Sequence, residues 1–300
     1  MATVLVIGGG AIGSFLAASF IASGIEARIL ARGARLAEIA RQGVMLAQDA
    51  SLSRVAVPAI ADCEGLDPPD FAILCCKAGD LASCLDVSGS AVGPETVMVT
   101  VQNGVNAPDI VAARFPDQVV IASRVHGFFE LEAGMVRHVG VRPSLSLGTW
   151  GGIALESARR LADLLARAGI RASVSHDIRA DLWEKFVLAS ALGGVGAATG
   201  LAVGAIRSDP ESNRLLEAAI REVCSLARRM GVVLPDDTAA RTIAFIAGFP
   251  PEATTSLMRD LEAGRLSEYA SLTGAVLRLA DRAGLDIPAF RTIEAMLASR

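Results

Sequence analysis

The chain has 300 residues, 52 % of them hydrophobic and 20 % charged, which is enough for two domains with sizeable cores built mainly from Ala, Val, Leu and Ile. Its net charge of −4 comes from interspersed acids and bases without a basic tract, which argues against nucleic acid as a partner. Five cysteines, Cys63, Cys75, Cys76, Cys84 and Cys224, form no C-x-x-C pair and have no histidines at ligand spacing, so they read as reduced thiols of a cytoplasmic protein, with no metal site.

The opening MATVLVIGGGAIG lacks a basic start and breaks into glycines, so it does not read as a signal peptide. The first half then alternates short β-rich runs (TVLVI, ARILA, FAILCC, TVMVTV) with helix-length segments such as AIGSFLAASFIASG. That alternation predicts a parallel, doubly wound sheet. Around residues 119–148, VVIASRV, GMVRHVG and SLSLG lie close enough together to be antiparallel strands or hairpins finishing the sheet. The helix ESARRLADLLARAG and a short ASVS run follow.

From about Ile178 the strand signals stop and capped helical segments take over. DPESNRLLEAAIREVCSLARRMG opens with Asp209 before Pro210 and closes on Gly231. The expected organisation is a Rossmann-type domain over 1–176 and an all-helical domain over 177–300. The charge-free stretch Phe186–Ile206 is long enough to span a bilayer but is mostly Ala and Gly, so a buried, tightly packed helical segment is expected instead.

Gly8, Gly10 and Gly13 fit G-x-G-x-x-G between the first strand and the first helix. The first glycine permits a tight turn, the second lets a pyrophosphate approach the backbone, and the third packs helix against strand. Gly8, Gly9, Gly10, Ala11, Ile12 and Gly13 therefore form a candidate phosphate loop; the alternative is a glycine-rich turn without a ligand. An NAD-type site usually places an acid about 20 residues further on, at the end of the second strand. Here Arg32 stands in that place, which suits the 2′-phosphate of NADP, unless it is simply one of 26 arginines on a surface. FAILCCK ends in Lys77, and TVMVTVQNG ends in Gln102, Asn103 and Gly104. Both strand ends are expected at the cofactor cleft. Asn103 before glycine also has an ordinary reading as a turn former.

Among 28 basic residues only Lys77 and Lys185 are lysines. Lysine can release its proton and its pKa responds to burial, whereas arginine stays charged. Lys185, in DLWEKFVLAS, is thus a candidate proton donor, against the alternative of a surface lysine near a helix start.

IGGGAIG, LARG, CCKAGD, VQNG, IRADLWEKF and SLMRDLEAGRLSEYASLTGAV resemble the ketopantoate reductases (2-dehydropantoate 2-reductases) over nearly the whole chain. The strongest parts are the segment around Lys185 and the pattern at Ser256, Met258, Asp260, Gly264, Arg265 and Glu268, where Leu257 and Met258 are transposed relative to the family. The resemblance implies an N-terminal Rossmann domain followed by a helical domain like the C-terminal domain of 6-phosphogluconate dehydrogenase. It implies NADPH-dependent reduction of a 2-oxo acid, by family default 2-dehydropantoate to (R)-pantoate. Lys185 would be the proton donor and Glu268 its partner in the active-site polar network, also reaching the cofactor. Asn103 would touch both nicotinamide and substrate, Lys77 and Arg32 would serve the cofactor, and Ser256 would hold the substrate carboxylate.

The chain departs from the family where asparagines are common after the catalytic lysine: those positions are Ala189, Gly193 and Val203. Ala270 and Thr273 replace the usual Asp and Asn after the glutamate. A D-2-hydroxy acid dehydrogenase acting on branched or aromatic 2-oxo acids is therefore a second reading, and a catalytically silent NADPH-binding sensor a third. No membrane association is expected, and the helical half has enough apolar surface to form a homodimer.

Overall fold

The computed structural model describes residues 2–48, 51–152, 154–262 and 268–299. The chain forms two compact units: Met1–Gln102 with Asn106–Ile178, and Asn103–Val105 with Arg179–Arg300.

The first unit is built on one ten-stranded sheet. Its strands are β1 (Thr3–Ile7), β2 (Glu26–Leu30), β3 (Val44–Gln48), β4 (Ser51–Val55), β5 (Ala59–Ile60), β6 (Phe71–Leu74), β7 (Val97–Thr100), β8 (Val120–Glu132), β9 (Met135–Thr149) and β10 (Arg171–Val174). Their order is β4-β3-β9-β8-β7-β6-β1-β2-β5, with β10 on β9. The run from β5 to β8 is parallel throughout. Every residue of FAIL and VMVT is buried, as parallel strands covered on both faces require.

Alternation divides these strands between two cores. Val4, Val6, Phe71, Ile73, Val97 and Val99 join helices α1 (Ala11–Ala22) and α5 (Leu155–Arg167) on one face. Leu5, Ile7, Ala72, Leu74 and Met98 join α3 (Leu81–Ser88) and α4 (Ala107–Arg114) on the other. Between β2 and β3 lies α2 (Gly33–Gln42), which contributes Ile39 to the first core.

Two features differ from the sequence reading. GMVRHVG and SLSLG are one continuous strand, β9, paired antiparallel with β8 across an irregularity between His126 and Phe128. The β3–β4 pair has no counterpart in the predicted elements, because SLSRV is polar and mostly exposed and carries no period-two apolar signal.

Among its described residues the second unit is built from helices joined by short loops: α6 (Ile178–Thr199), α7 (Val203–Ser208), α8 (Pro210–Arg229), α9 (Thr238–Ala247), α10 (Ser256–Glu262), α11 (Thr273–Ala283) and α12 (Pro288–Ala298). A single 3-10 turn, Glu268–Ser271, precedes α11. Asp209 caps α8 by accepting the Ser212 N–H at 2.8 Å, with Pro210 in the first turn. The charge-free stretch is two helices, interrupted at Gly200 in the left-handed region (φ +73°). Residues 191–198 are buried. Among the described residues no helix is long and apolar enough to cross a membrane.

Candidate active site

The loop after β1 is shaped by contacts that exclude side chains. Gly8 has φ +117°, and a Cβ there would lie 2.7 Å from the Cys76 nitrogen. A Cβ on Gly13 would lie 2.0 Å from the Gly8 oxygen. Gly10, the N-cap of α1, has the opposite environment, with nothing within 4 Å of the position a Cβ would take. Two glycines thus close the turn, and the third leaves the N-terminus of α1, where Ala11 and Ile12 begin the helix, uncovered on its outer side. That cradle fits a pyrophosphate, which would meet unpaired N–H groups and the positive end of the helix dipole.

Arg35 braces the loop from beneath, a role the sequence reading missed. Its Nε donates to the Gly9 carbonyl at 2.8 Å, and another guanidinium nitrogen donates to Ser14 Oγ at 2.8 Å. Ser14 Oγ in turn donates to the same Gly9 carbonyl, and Glu38 pairs with the guanidinium. The Arg35 side chain is only 16 % exposed. The one available signal was position: Arg35 lies in the first turn of α2, on the side facing the loop.

Arg32 lies just beyond β2 as the N-cap residue of α2. Its guanidinium is 2.9 Å from Asp80 Oδ1, in a turn that starts after the exposed Lys77. Gln102 ties the ends of β7 and β6 together, donating from Nε2 to the Leu74 carbonyl at 2.7 Å and the Cys76 carbonyl at 3.2 Å. Burial pushes the Cys75 thiol far above its ordinary range, which suits packing rather than nucleophilic chemistry.

In the second unit, Asn103 Nδ2 donates to Glu268 Oε2 at 2.9 Å, joining residues 165 positions apart. The next residue shows why the segment fits so closely: Gly104 has φ +101°, and a Cβ there would stand 2.8 Å from the Ser271 carbonyl. Lys185 is half-buried in the second turn of α6, and the helical repeat puts Ala189 and Gly193 on its face.

Farther along α6, the glycines admit the neighbouring helices closely. Thr273 at the start of α11 packs on Gly194 and donates from Oγ1 to the Ser190 carbonyl at 3.4 Å. Leu257 and Met258 of α10 pack on Gly193 and Gly196. Thr255 Oγ1 accepts the Met258 N–H at 3.2 Å, and Ser256 opens α10 with its side chain exposed.

The structure therefore brings Asn103 and Glu268 into contact. It sets both α10, which Ser256 opens, and α11, which follows the Glu268 turn, against the helix that carries Lys185. Gly264 and Arg265 lie outside the described residues. Among the described residues, no group of His, Cys, Asp and Glu is arranged to hold a metal ion.

The family described as ketopantoate reductase PanE/ApbA matches residues 4–152, and its C-terminal domain matches 177–300. A 2-dehydropantoate 2-reductase from Mesorhizobium japonicum is 34 % identical over 318 residues, covering 98 % of this chain and 95 % of that one. The crystal structure of a PanE/ApbA family ketopantoate reductase from Ralstonia eutropha superposes with a TM-score of 0.88 at 28 % identity, covering 99 % of this chain and 97 % of that one. D-mandelate dehydrogenase, solved with NADH and anilino(oxo)acetate, has a TM-score of 0.89 at 21 % identity over 100 % of this chain and 98 % of that one, a likeness of fold.

Proposed function

The chain belongs to the ketopantoate reductase family, and from that membership we propose that it reduces a 2-oxo acid with NADPH, using Lys185 as the proton donor. The family makes it an oxidoreductase that converts a 2-oxo acid to the 2-hydroxy acid with a pyridine nucleotide. The choice of NADPH, the roles of individual residues and the identity of the acid are proposed from the residues themselves.

The observation that carries this reading is the Asn103–Glu268 hydrogen bond. The bond turns the amide NH₂ of Asn103 toward Glu268 and leaves Oδ1 as the acceptor for a ligand. The bound dinucleotide supplies the hydride. Lys185 contributes its ammonium, which gives a proton to the carbonyl oxygen as that oxygen becomes a hydroxyl. Ser256 offers a hydroxyl to the substrate carboxylate, and Lys77 a cation to the cofactor. Oxidation of NADPH, followed by absorbance against a panel of 2-oxo acids, tests the activity directly.

Arg32 supports NADPH over NADH because it stands where an NAD enzyme places an acid. Arg32→Ala should weaken NADPH by roughly 1.5–3 kcal/mol, the worth of a hydrogen bond to a charged group, and leave NADH nearly unchanged. An unaltered NADPH-to-NADH preference in that variant would remove the assignment. Arg35→Ala should behave differently, weakening both dinucleotides alike by about 5–30-fold, since the loop it braces holds what the two share. Selective loss of NADPH in that variant would instead make Arg35 the phosphate reader.

Family default makes ketopantoate the first substrate to try. A D-mandelate dehydrogenase shares the fold, so the fold by itself decides neither the cofactor nor the tail of the acid. The five cysteines are free, which suits the reducing cytoplasm proposed for the protein. Exposed Val233 and Phe245 on the helical unit support a homodimer formed through it.

A further inference from the structure

Asp80 occupies the N-cap position of α3, where an aspartate ordinarily accepts a backbone N–H of its own helix. Its side chain makes no such bond. It reaches instead for Arg32, at 2.9 Å. The sheet shows where this bridge lies. β1 runs between β2 and β6, Arg32 follows β2, and Asp80 lies in the turn after β6. At the end of β1, the Ile7 carbonyl accepts the Cys75 N–H, and the Gly8 N–H donates to the Leu30 carbonyl. The Arg32–Asp80 pair therefore bridges the carboxyl ends of β2 and β6, on either side of the β1 end from which the phosphate loop departs.

A 2′-phosphate arriving at Arg32 finds its donors already facing a carboxylate. It must compete for the guanidinium and also meets a like charge beside it. A ribose 2′-hydroxyl is neutral and can donate to a carboxylate, so it has no reason to open the bridge. From this arrangement we infer that Asp80 sets cofactor specificity: it is the internal counter-ion that a 2′-phosphate displaces from Arg32, and the acceptor for the 2′-hydroxyl when no phosphate is present. The inference rests on Arg32 as the reader of the 2′-phosphate. With Asp80 in place the NADPH preference is moderated, and NADH remains a usable ligand. Because the two side chains are 76 % and 46 % exposed, water and salt screen the competition, and its scale is a modest factor.

The test is equilibrium binding to the full-length protein by titration calorimetry, with NADP⁺, NAD⁺ and the minimal pair 2′,5′-ADP and 5′-AMP as probes. Asp80→Asn should tighten NADP⁺ and 2′,5′-ADP by about 3–10-fold, the order expected when an exposed like charge is removed beside a dianion. NAD⁺ and 5′-AMP should stay level or weaken slightly. The gain should disappear in the Arg32→Ala background, because Asp80 acts through Arg32. Asp80→Ser removes the carboxylate with a different side chain and should give the same pattern. If both Asp80 variants leave the 2′-phosphorylated probes unchanged or weaken them, while Arg32→Ala still abolishes the NADP⁺ preference, the Asp80 inference fails and the Arg32 reading stands. If Arg32→Ala also leaves the preference intact, both fail together.

Discussion

Lys185→Ala should lower kcat on the order of 10²–10⁴, the usual contribution of a positioned proton donor, with the KM for NADPH little changed. The expectation rests on chemistry that arginine lacks. In a chain with 26 arginines and two lysines, a site needing only positive charge has no need of lysine. A site that must release a proton at each turnover does. Lys185→Arg should therefore recover little of the lost rate. Lys185 is half-buried on α6, with the small residues Ala189 and Gly193 on the same face. Near-normal turnover in the arginine variant would reduce the role of Lys185 to electrostatic attraction.

The second large effect concerns which acid is reduced. Ala189, Gly193 and Val203 stand where the resembled enzymes carry asparagines, and the hydroxyls described near them are already engaged: Thr255 Oγ1, 4.0 Å from the place a Cβ on Gly193 would take, accepts the Met258 N–H at 3.2 Å. Ser190 Oγ donates to the Phe186 carbonyl, and Thr199 Oγ1 donates to the Val195 carbonyl at 2.8 Å, so both serve their own helix. Val203 is 2 % exposed, and the nearest neighbour of a Cβ on Gly193 would be Leu257 at 3.4 Å. Ala189, Gly193 and Val203 themselves carry no side-chain hydrogen-bonding group.

Each hydrogen bond missing from a ligand hydroxyl costs about 0.5–1.5 kcal/mol, and more when the hydroxyl is buried without a partner. Two or three such losses should lower kcat/KM for ketopantoate by roughly 10²–10³ relative to a fully polar pocket. A 2-oxo acid with a branched-chain or aromatic tail should then equal or exceed it. Steady-state kinetics across such a panel decides the matter. A clear preference for ketopantoate with kcat/KM near or above about 10⁵ M⁻¹s⁻¹ would show that ordered water or another group supplies the missing contacts.

What could be read from sequence, and what could not, follows from the range of the interactions. The glycine turn after β1 was legible because its constraints are local: Gly8 has positive φ and Gly13 a close approach, and both leave a glycine in the text. Strands buried on both faces, such as FAIL and VMVT, announced themselves as apolar runs. The polar hairpin partner SLSRV did not, since edge strands carry little hydrophobic signal. Arg35 was invisible for a different reason. Its importance comes from the two bonds it makes to Gly9 and Ser14, and one arginine among 26 reads like another. The same holds for Asp80, which stands at the N-cap of α3 but pairs with Arg32, 48 residues away. The family resemblance gave Asn103 and Glu268 separate roles, and their hydrogen bond was not legible, because no periodicity relates residues 165 apart.

The most direct test of the whole account is the stoichiometry of a single reaction. Purified protein, NADPH and a 2-oxo acid are mixed, and both the NADP⁺ and the 2-hydroxy acid formed are quantified, alongside Lys185→Ala under the same conditions. The wild type should form one 2-hydroxy acid for each NADPH consumed, and the variant should bind NADPH equally well yet form product slowly. A wild-type protein that binds NADPH but consumes none with ketopantoate or any branched-chain or aromatic 2-oxo acid would contradict the account.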